Sequence, residues 1–240
     1  MKSADRTLDV FEGFAKLGRP ATLSELAREL DIPVSSCSGL LRRLEERGYL
    51  EAVERGTWFP THRLLHVART IADHDPLIAR VAPVMERLRD ATGETVALAR
   101  RRDTEVVYLA VAESRSAIRY VASAGEVRPL HASSLGRALM SRMPAEARAQ
   151  LLKRIAFPRL TPKTLTSARA IEAAIDQGRA AGWFANFGES VPDLYAIACP
   201  FSAKGGEYAL AVIGPGRRIE DNEHRIGTAL RKACAALESP

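Results

Sequence analysis

The chain has 240 residues, 46% of them hydrophobic and 27% charged, which excludes a largely disordered protein and allows one large domain or two smaller ones. The formal net charge of +6 suggests a polyanionic partner, while three widely spaced cysteines exclude a disulfide framework and a CxxC metal pair. The charged first ten residues and the shortness of every apolar run predict a cytoplasmic protein with neither a secretory signal nor a membrane partner.

The positive charge is not evenly distributed along the chain. Residues 1–75 hold 11 Lys/Arg and 12 Asp/Glu, a net charge of −1, whereas residues 76–240 hold 24 and 17, a net charge of +7. Net charge therefore gives no support to nucleic-acid binding by the first part of the chain. Any such function there must depend on a few well-placed residues.

The first 47 residues have the sequence pattern of three short helices. Apolar residues recur at helical spacing over residues 5–17, and the motif Thr22-x-x-Glu25 is a capping box that begins a second helix. Pro33 suits the first position of a third helix, and Gly48 ends it. Two helices separated by a short turn are the central feature of a helix-turn-helix.

A β-hairpin is predicted directly after the third helix. Residues 49–53 and 57–59 have the composition of strands, and Gly56 supplies the positive φ of the turn between them. The order of elements predicts a winged helix-turn-helix domain over residues 1–60, whose third helix enters the major groove of DNA. Such units can also bind proteins, and that alternative stays open. The side chains expected to contact bases or phosphates are Val34, Ser35, Ser36, Ser38, Arg42, Arg43 and Arg55.

Residues 61–75 are predicted to form a linker helix that ends before a proline. His62 and His66 lie four residues apart on one face of this helix, near Asp73 and His74, so a metal site is conceivable. Surface histidines are the commoner interpretation, because no third ligand follows at a fixed spacing. We therefore predict neither a metal nor a cofactor.

Residues 76–240 alternate between the helical and the strand period, which predicts a second domain of the α+β class. Helices are predicted over residues 76–92, 133–143, 144–154, 167–181 and 222–237. Strands are predicted over residues 95–101, 105–112, 117–122, 183–187, 194–201 and 208–213. We expect these strands to form a largely antiparallel sheet with helices on one side or on both.

Motifs follow one another in order along nearly the whole chain. The first domain contains LSELARELDIPVSS and LLRRLEERGYLE, and the second contains GETVAL, PLHASSLGRAL, LTPKT and AIACP. In this order and spacing the chain resembles the IclR family of bacterial transcriptional regulators. The resemblance implies a GAF-like effector-binding domain, and homodimers or dimers of dimers on palindromic double-stranded operator DNA. It also implies repression, activation or both under the control of a small organic acid, in many members an aromatic one.

The segment HASSLGRALM predicts a helix N-terminus directly after a turn. Unpaired amides near Ser134 and Leu135, together with the helix dipole and the Ser133 hydroxyl, suit a carboxylate. Ser133 could instead only cap the helix, and the resemblance favours the ligand. The residues expected at the effector site are Tyr120, Arg128, His131, Ser133, Ser134, Leu135, Phe184, Asn186, Leu194, Ala196, Ala211 and Ile213.

Several positions depart from the pattern of the family. Many members carry Arg where this chain has Gly39, so the operator sequence cannot be inferred from relatives. Members that bind small keto acids are expected to use an acidic residue, a Cys and two Ser at the positions of Asn186, Ala196, Ala211 and Ile213. Loss of these polar groups argues against a small polar acid.

Bulky side chains at neighbouring positions suggest a larger and more apolar cavity. They are Tyr120, Phe184, Leu194 and Tyr195. We therefore expect an aromatic or longer-chain organic acid as the effector. Arg128 stands where the family usually has an apolar residue, and it could pair with a ligand carboxylate or form a surface salt bridge.

A catalytic function is the alternative from another class. His131, Cys199 and Glu189 could act as base, nucleophile and orienting group. However, Cys199 lies in an apolar strand, and no GxSxG or HExxH motif is present, nor a GxGxxG before a helix. We predict that the chain is not an enzyme. The alternative is a catalytic or protein-interaction protein that keeps the helix-turn-helix as a binding face.

Overall fold

The computed structural model describes residues 2–203 and 205–238, without the side chains of residues 2–4, Arg55 and Asp73. The chain forms two compact units, Met1–Asp75 and Pro76–Pro240. The helix that follows the wing belongs to the first of these units. The finer division into a DNA-binding domain at 1–60, a linker helix at 61–75 and an effector domain at 76–240 stays a prediction.

The first unit is a three-stranded sheet packed on helices. Its elements are α1 (Lys2–Leu17), β1 (Ala21–Thr22), α2 (Leu23–Glu29), α3 (Val34–Glu46), β2 (Leu50–Ala52), a 3-10 turn (Glu54–Gly56), β3 (Thr57–Pro60) and α4 (His62–Asp73). β3 pairs antiparallel with β2, as the predicted hairpin requires, and also with the short β1, which was not predicted. Leu26, Leu41 and Leu44 are buried between the helices and this sheet.

The capping box before α2 is present. The hydroxyl oxygen of Thr22 accepts a hydrogen bond from the Glu25 amide at 3.3 Å, and the Thr22 amide donates to the Glu25 carboxylate at 2.8 Å. The guanidinium of Arg19 donates to the same carboxylate at 2.7 Å. These contacts fix where α2 begins and hence the position of the turn before α3.

The second unit is built on one antiparallel sheet. Its first elements are α5 (Pro76–Thr92), β4 (Thr95–Arg102), β5 (Glu105–Ala112), β6 (Val127–Pro129), α6 (Ser134–Ser141) and α7 (Ala145–Lys153). The remainder are α8 (Ala168–Ala181), β7 (Phe184–Phe187), β8 (Leu194–Ala203), β9 (Gly206–Pro215), α9 (Gly216–Glu220) and α10 (Glu223–Glu238). Within the described residues the sheet has six strands in the order β6-β5-β4-β9-β8-β7, and the predicted α+β class is confirmed.

The strand predicted over residues 117–122 is wrong. This stretch is an irregular loop in which Ile118 and Val121 are exposed, and the Tyr120 carbonyl accepts a hydrogen bond from the Thr95 hydroxyl. The free edge of β5 is taken instead by β6 and by the turn before it, where the Tyr108 amide donates to the Glu126 carbonyl and the Tyr108 carbonyl accepts from the Gly125 amide. The alternation of apolar and polar residues that predicted a strand here therefore belongs to a loop that pairs with no strand.

Helices cover both faces of this sheet. One face packs on α5 and α10 around residues such as Ile197 and Phe201, and the other packs on α6, α7 and α8 around Leu139 and Ile171. Alternate residues of β8 serve the two faces, because successive strand side chains point in opposite directions. Within the described residues, no helix combines the length and the apolar content that crossing a bilayer requires.

Candidate functional site

α3 has one buried and one exposed face. Cys37, Leu41 and Leu44 lie in the core of the first unit, whereas Leu40 is only half-buried. Six of the residues predicted to contact DNA lie on α3. Ser36 is half-buried, and the other five are exposed: Val34, Ser35, Ser38, Arg42 and Arg43. The side chain of Arg55 in the wing lies outside the described residues.

Two features keep this exposed face available to a partner. Arg42 approaches Glu46 only at 3.8 Å, a contact on an open helix surface that stabilises little. A Cβ added at Gly39 would have no atom within 4 Å, so packing does not require glycine there. Among the described residues, the Arg42–Glu46 pair on this face is therefore weak enough to be broken at little cost when DNA is bound.

A cavity of about 340 Å³ lies in the second unit, on the sheet face that carries α6. Its polar wall includes five of the predicted effector-site residues, Tyr120, Arg128, Ser133, Ser134 and Asn186. Its apolar wall includes four more, Leu135, Leu194, Ala196 and Ile213. The sequence did not indicate Tyr108, Leu160, Ser190 and Val191, which also line it. The size is within the range of small-molecule sites.

The N-terminus of α6 opens into this cavity. Ser133 is the N-cap residue, but its side chain makes no capping hydrogen bond. Ser134 is only 2% exposed, yet among the described residues its hydroxyl has no hydrogen-bond partner. A Cβ on Gly136 would lie 1.9 Å from the carbonyl oxygen of Leu130, so glycine is needed for the preceding turn to pack on the helix. The arrangement leaves helical amides and the hydroxyl of Ser134, which lines the cavity, for an anion.

Arg128 forms a polar cluster on another part of the cavity wall. Its guanidinium donates to the Tyr120 hydroxyl at 3.0 Å and pairs with the carboxylate of Glu126. It also lies 6.0 Å from the centre of the Tyr108 ring. Burial, with the neighbouring Tyr120 hydroxyl as a smaller contribution, raises the pKa of Tyr108 above its usual value. The phenol is therefore neutral at physiological pH, and Arg128 carries the positive charge of the cluster.

Asn186 connects two segments that border the cavity. Its side-chain amide donates to the Ala132 carbonyl at 2.7 Å, and its amide oxygen accepts from the Glu189 backbone at 2.9 Å. Both ends of the side chain are therefore already hydrogen-bonded. The residue is better described as a support for the cavity wall than as a free donor to a ligand.

A buried ion pair holds the loop after β7. Arg137, 1% exposed, donates to both carboxylate oxygens of Glu189 at 2.7 and 2.8 Å. The hydroxyl groups of Thr161 and Thr164 donate to the carbonyl oxygens of Gly188 and Glu189 at 2.8 and 2.7 Å. These contacts position the loop that carries Ser190 and Val191, two of the lining residues that the sequence did not reveal.

Three predicted effector-site residues do not line the cavity. The ring of His131 is buried against Phe157 and lies 3.0 Å from the Pro158 carbonyl oxygen. Phe184 packs in the core beside α8, where a Cβ on Gly178 would lie 2.3 Å from its ring. Ala211 is completely buried deeper in the sheet, opposite Ala198.

Tyr195, which suggested a large apolar cavity, lies on the wrong face of the sheet. It belongs to the core under α5 and α10, and its hydroxyl accepts a hydrogen bond from Lys163 at 3.0 Å. Its neighbours Leu194 and Ala196 face the cavity instead. The error has a simple cause, since adjacent strand residues always point to opposite faces.

The three residues considered as a catalytic base, nucleophile and orienting group have other partners. Burial raises the pKa of the Cys199 thiol to about 12, and its sulfur lies 3.5 Å from the Gly182 carbonyl oxygen. Glu189 is engaged by Arg137, and His131 lies against Pro158. Among the side chains that the structure describes, no group of three or more His, Cys, Asp or Glu could hold a metal ion.

Comparison with known proteins assigns both units to one family. The family model described as bacterial transcriptional regulator IclR C-terminal matches residues 69–239, and the IclR helix-turn-helix domain matches residues 3–54. The chain belongs to the IclR family. The regulator BhcR of Paracoccus denitrificans is 30% identical over 92% of this chain and 80% of its own length.

Solved structures of similar proteins have the same fold. A transcriptional regulator from Rhodococcus sp. RHA1 superposes with a TM-score of 0.87 and 26% identity, over 99% of this chain and 97% of that one. An IclR homologue from Microbacterium hydrocarbonoxydans, complexed with 4-hydroxybenzoate, gives a TM-score of 0.82 and 26% identity, over 98% and 96% of the two chains. The IclR chain is therefore a DNA-binding transcriptional regulator and not an enzyme, as predicted.

Proposed function

We propose that this IclR regulator acts in the cytoplasm as a homodimer whose affinity for operator DNA changes when an organic acid occupies the cavity beside α6. The observation that carries the proposal is the N-terminus of α6. Ser134 there is only 2% exposed, and its hydroxyl has no hydrogen-bond partner among the described residues. Helix N-termini stabilise anions through their free amides and the helix dipole. A carboxylate is the anion that fits this position.

The body of the acid is aromatic or of comparable size. The cavity of about 340 Å³ has Leu160, Leu194 and Ile213 in its wall, and its predicted polar residue Asn186 is already hydrogen-bonded. A small keto acid would leave most of this apolar surface in contact with water. The related protein from Microbacterium hydrocarbonoxydans, complexed with 4-hydroxybenzoate, supports an aromatic acid here.

A dimer accounts for apolar side chains that the first unit leaves exposed. Leu65 and Ile71 on α4 are 49% and 69% exposed, and Leu8 on α1 is 63% exposed. One helix-turn-helix offers a small footprint, and two copies on a palindromic operator bind far more tightly. A second copy of the chain is the partner that would cover these side chains. Light scattering of the full-length protein should then give at least twice 26.2 kDa.

Control by the acid requires two arrangements of the dimer. The acid binds one arrangement better and so shifts the population towards it. If the two arrangements differ in the spacing of the two α3 helices, operator affinity changes with the population. Both release and enhancement of DNA binding are compatible with this scheme.

The DNA-facing surface is tested with Arg42→Ala on DNA from upstream of the protein's own gene. Because Arg42 is exposed on α3, we expect its loss to weaken binding by about 1–3 kcal/mol if it contacts a base, or to lower the salt slope by about one if it contacts a phosphate. Arg169→Ala, an equal loss of charge on the exposed start of α8, is the matched control. Unchanged affinity of Arg42→Ala would place the DNA-facing surface elsewhere.

The acid is tested by thermal shift and by mobility of the protein–DNA complex. We expect benzoate and 4-hydroxybenzoate to raise the midpoint of unfolding of the full-length protein more than pyruvate does, because only the aromatic acids fill the apolar wall. The same acids should change operator affinity. A preference for pyruvate would contradict the proposed effector class.

A further inference from the structure

Arg128 is a charged group in the wall of a mainly apolar cavity. Its only carboxylate partner among the described residues is Glu126, two residues away on the same segment. The two side chains are 38% and 31% exposed, so their ion pair is reached by solvent. Pairs of this kind contribute little to stability, because water and salt compete for both groups. The carboxylate of Glu126 can therefore be exchanged for another at low cost.

The orientation of Arg128 does not depend on Glu126 alone. The Tyr120 hydroxyl accepts hydrogen bonds from two of its guanidinium nitrogens, at 3.0 and 3.3 Å. The Tyr108 ring, 6.0 Å away, adds a cation–π contact. All three side chains line the same cavity. The guanidinium would thus keep its place in the wall if Glu126 moved away.

The cavity has a second, separate position for an anion at the N-terminus of α6. There the hydroxyl of the buried residue Ser134 and the first helical amides are available to a ligand in the cavity. The wall of the same cavity also contains Leu135, Leu194 and Ile213, whose side chains offer no polar group to a ligand. A ligand with one carboxylate satisfies only one position. A ligand with two carboxylates on an apolar body can satisfy both.

We propose that Arg128 is a specificity-determining residue that selects organic acids with two carboxylates. One carboxylate binds at the N-terminus of α6, and the second replaces Glu126 on the guanidinium of Arg128. This inference rests on the proposed effector site and adds the class of acid that the site prefers. A guanidinium suits the second carboxylate because it can donate two parallel hydrogen bonds to it.

The proposal is tested by calorimetric titration of the full-length protein with matched acids. Benzoate is compared with benzene-1,4-dicarboxylate, and hexanoate with hexanedioate, so that each pair differs by one carboxylate. We expect at least one diacid to bind about tenfold more tightly than its monoacid. In Arg128→Gln the ratio of diacid affinity to monoacid affinity should fall towards one. The diacid loses its second anchor, so its affinity falls more than that of the monoacid.

Two further variants separate this role from general charge and folding effects. Glu126→Gln keeps the acceptor for the Ser123 amide but removes the competing charge, so it should raise diacid affinity. Arg119→Gln is the matched control, because Arg119 pairs with Glu113 at 37% and 41% exposure and does not line the cavity. It should leave the ratio of the two affinities unchanged.

The outcomes distinguish this inference from the effector site itself. If monoacids bind as tightly as diacids in both pairs, or if the ratio survives Arg128→Gln, the second anchor is overturned while the effector site stands. If no acid of either kind binds, both are overturned. If Arg128→Gln does not fold, unchanged diacid affinity in Glu126→Gln overturns the second anchor by an independent route.

Discussion

The polar contacts inside the two units differ in the sequence separation of the residues that they join. In the first unit the contact that sets the start of α2 joins Thr22 and Glu25, three residues apart. In the second unit the contact that fixes the cavity wall joins Arg137 and Glu189, 52 residues apart. The Thr22–Glu25 contact can be recognised from a few neighbouring residues of the sequence. The Arg137–Glu189 contact forms only after the sheet and α6 have come together.

The two contacts also differ in what surrounds them. Glu25 is half-buried, and water can replace its partners if they are lost. The side chains of Arg137 and Glu189 are 1% and 12% exposed, so a charge left there without its partner would stay largely desolvated. The comparison predicts that local contacts of the first unit have small individual effects and that long-range contacts of the second have large ones.

Arg137→Met gives the largest expected effect. Because it leaves the Glu189 carboxylate buried without a counter-charge, we expect a loss of about 3–5 kcal/mol in the free energy of unfolding of the second unit. Arg102→Met is the control, since it breaks an exposed pair with Glu105 three residues away. Urea unfolding in a Trp58→Phe background measures both, because Trp183 is then the remaining tryptophan. Equal losses in the two variants would break the comparison.

Two alanines of β8 test whether the cavity is spare volume or packed core. Ala198 is completely buried, whereas Ala196, two residues earlier on the same face, lines the cavity. Ala198→Leu should cost about 1–3 kcal/mol through overpacking, and Ala196→Leu less than about 1 kcal/mol because its side chain enters the cavity. Only Ala196→Leu should also weaken benzoate binding. A large cost at both positions would mean that the cavity closes in solution.

The same difference in range explains what the sequence could predict. The helices of the first unit, the capping box and the hairpin depend on residues a few positions apart, and the structure has them all. In the second unit the long strands were also recognised, because their period of two persists over several residues. β6 and α9, three and five residues long, are too short to show a period.

The cavity was only partly predictable for a related reason. Ser133, Ser134 and Leu135 were found because a helix N-terminus after a turn is a local pattern, and the resemblance to the IclR family favoured a ligand there over a simple cap. Tyr108 and Leu160 come from segments whose position depends on the assembled sheet, and no local pattern marks them. Ser190 and Val191 lie in a loop placed by the long-range Arg137–Glu189 pair.

Thr22→Ala gives the smallest expected effect and tests the local side of the comparison. It removes the hydroxyl that accepts from the Glu25 amide, so the first unit should lose about 1 kcal/mol in its free energy of unfolding. Thr22→Ser keeps a hydroxyl and should stay near wild type. Fluorescence of Trp58 in a Trp183→Phe background follows this unit.

The pH dependence of the same contact has a defined sign. Hydrogen bonds, first from Arg19 and then from the Thr22 backbone, lower the pKa of Glu25 from 4.5 to about 2. A carboxylate with a lowered pKa stabilises the folded state fully above its unfolded pKa, and its contribution is lost as the pH falls from about 4.5 towards 2. Thr22→Ala removes the hydrogen bond that the hydroxyl donates to the carboxylate at 2.9 Å, but it leaves the larger contributions of Arg19 and the backbone donor, so most of the slope of stability against pH should remain. A slope that disappears in Thr22→Ala would show that the hydroxyl, rather than Arg19, controls the carboxylate.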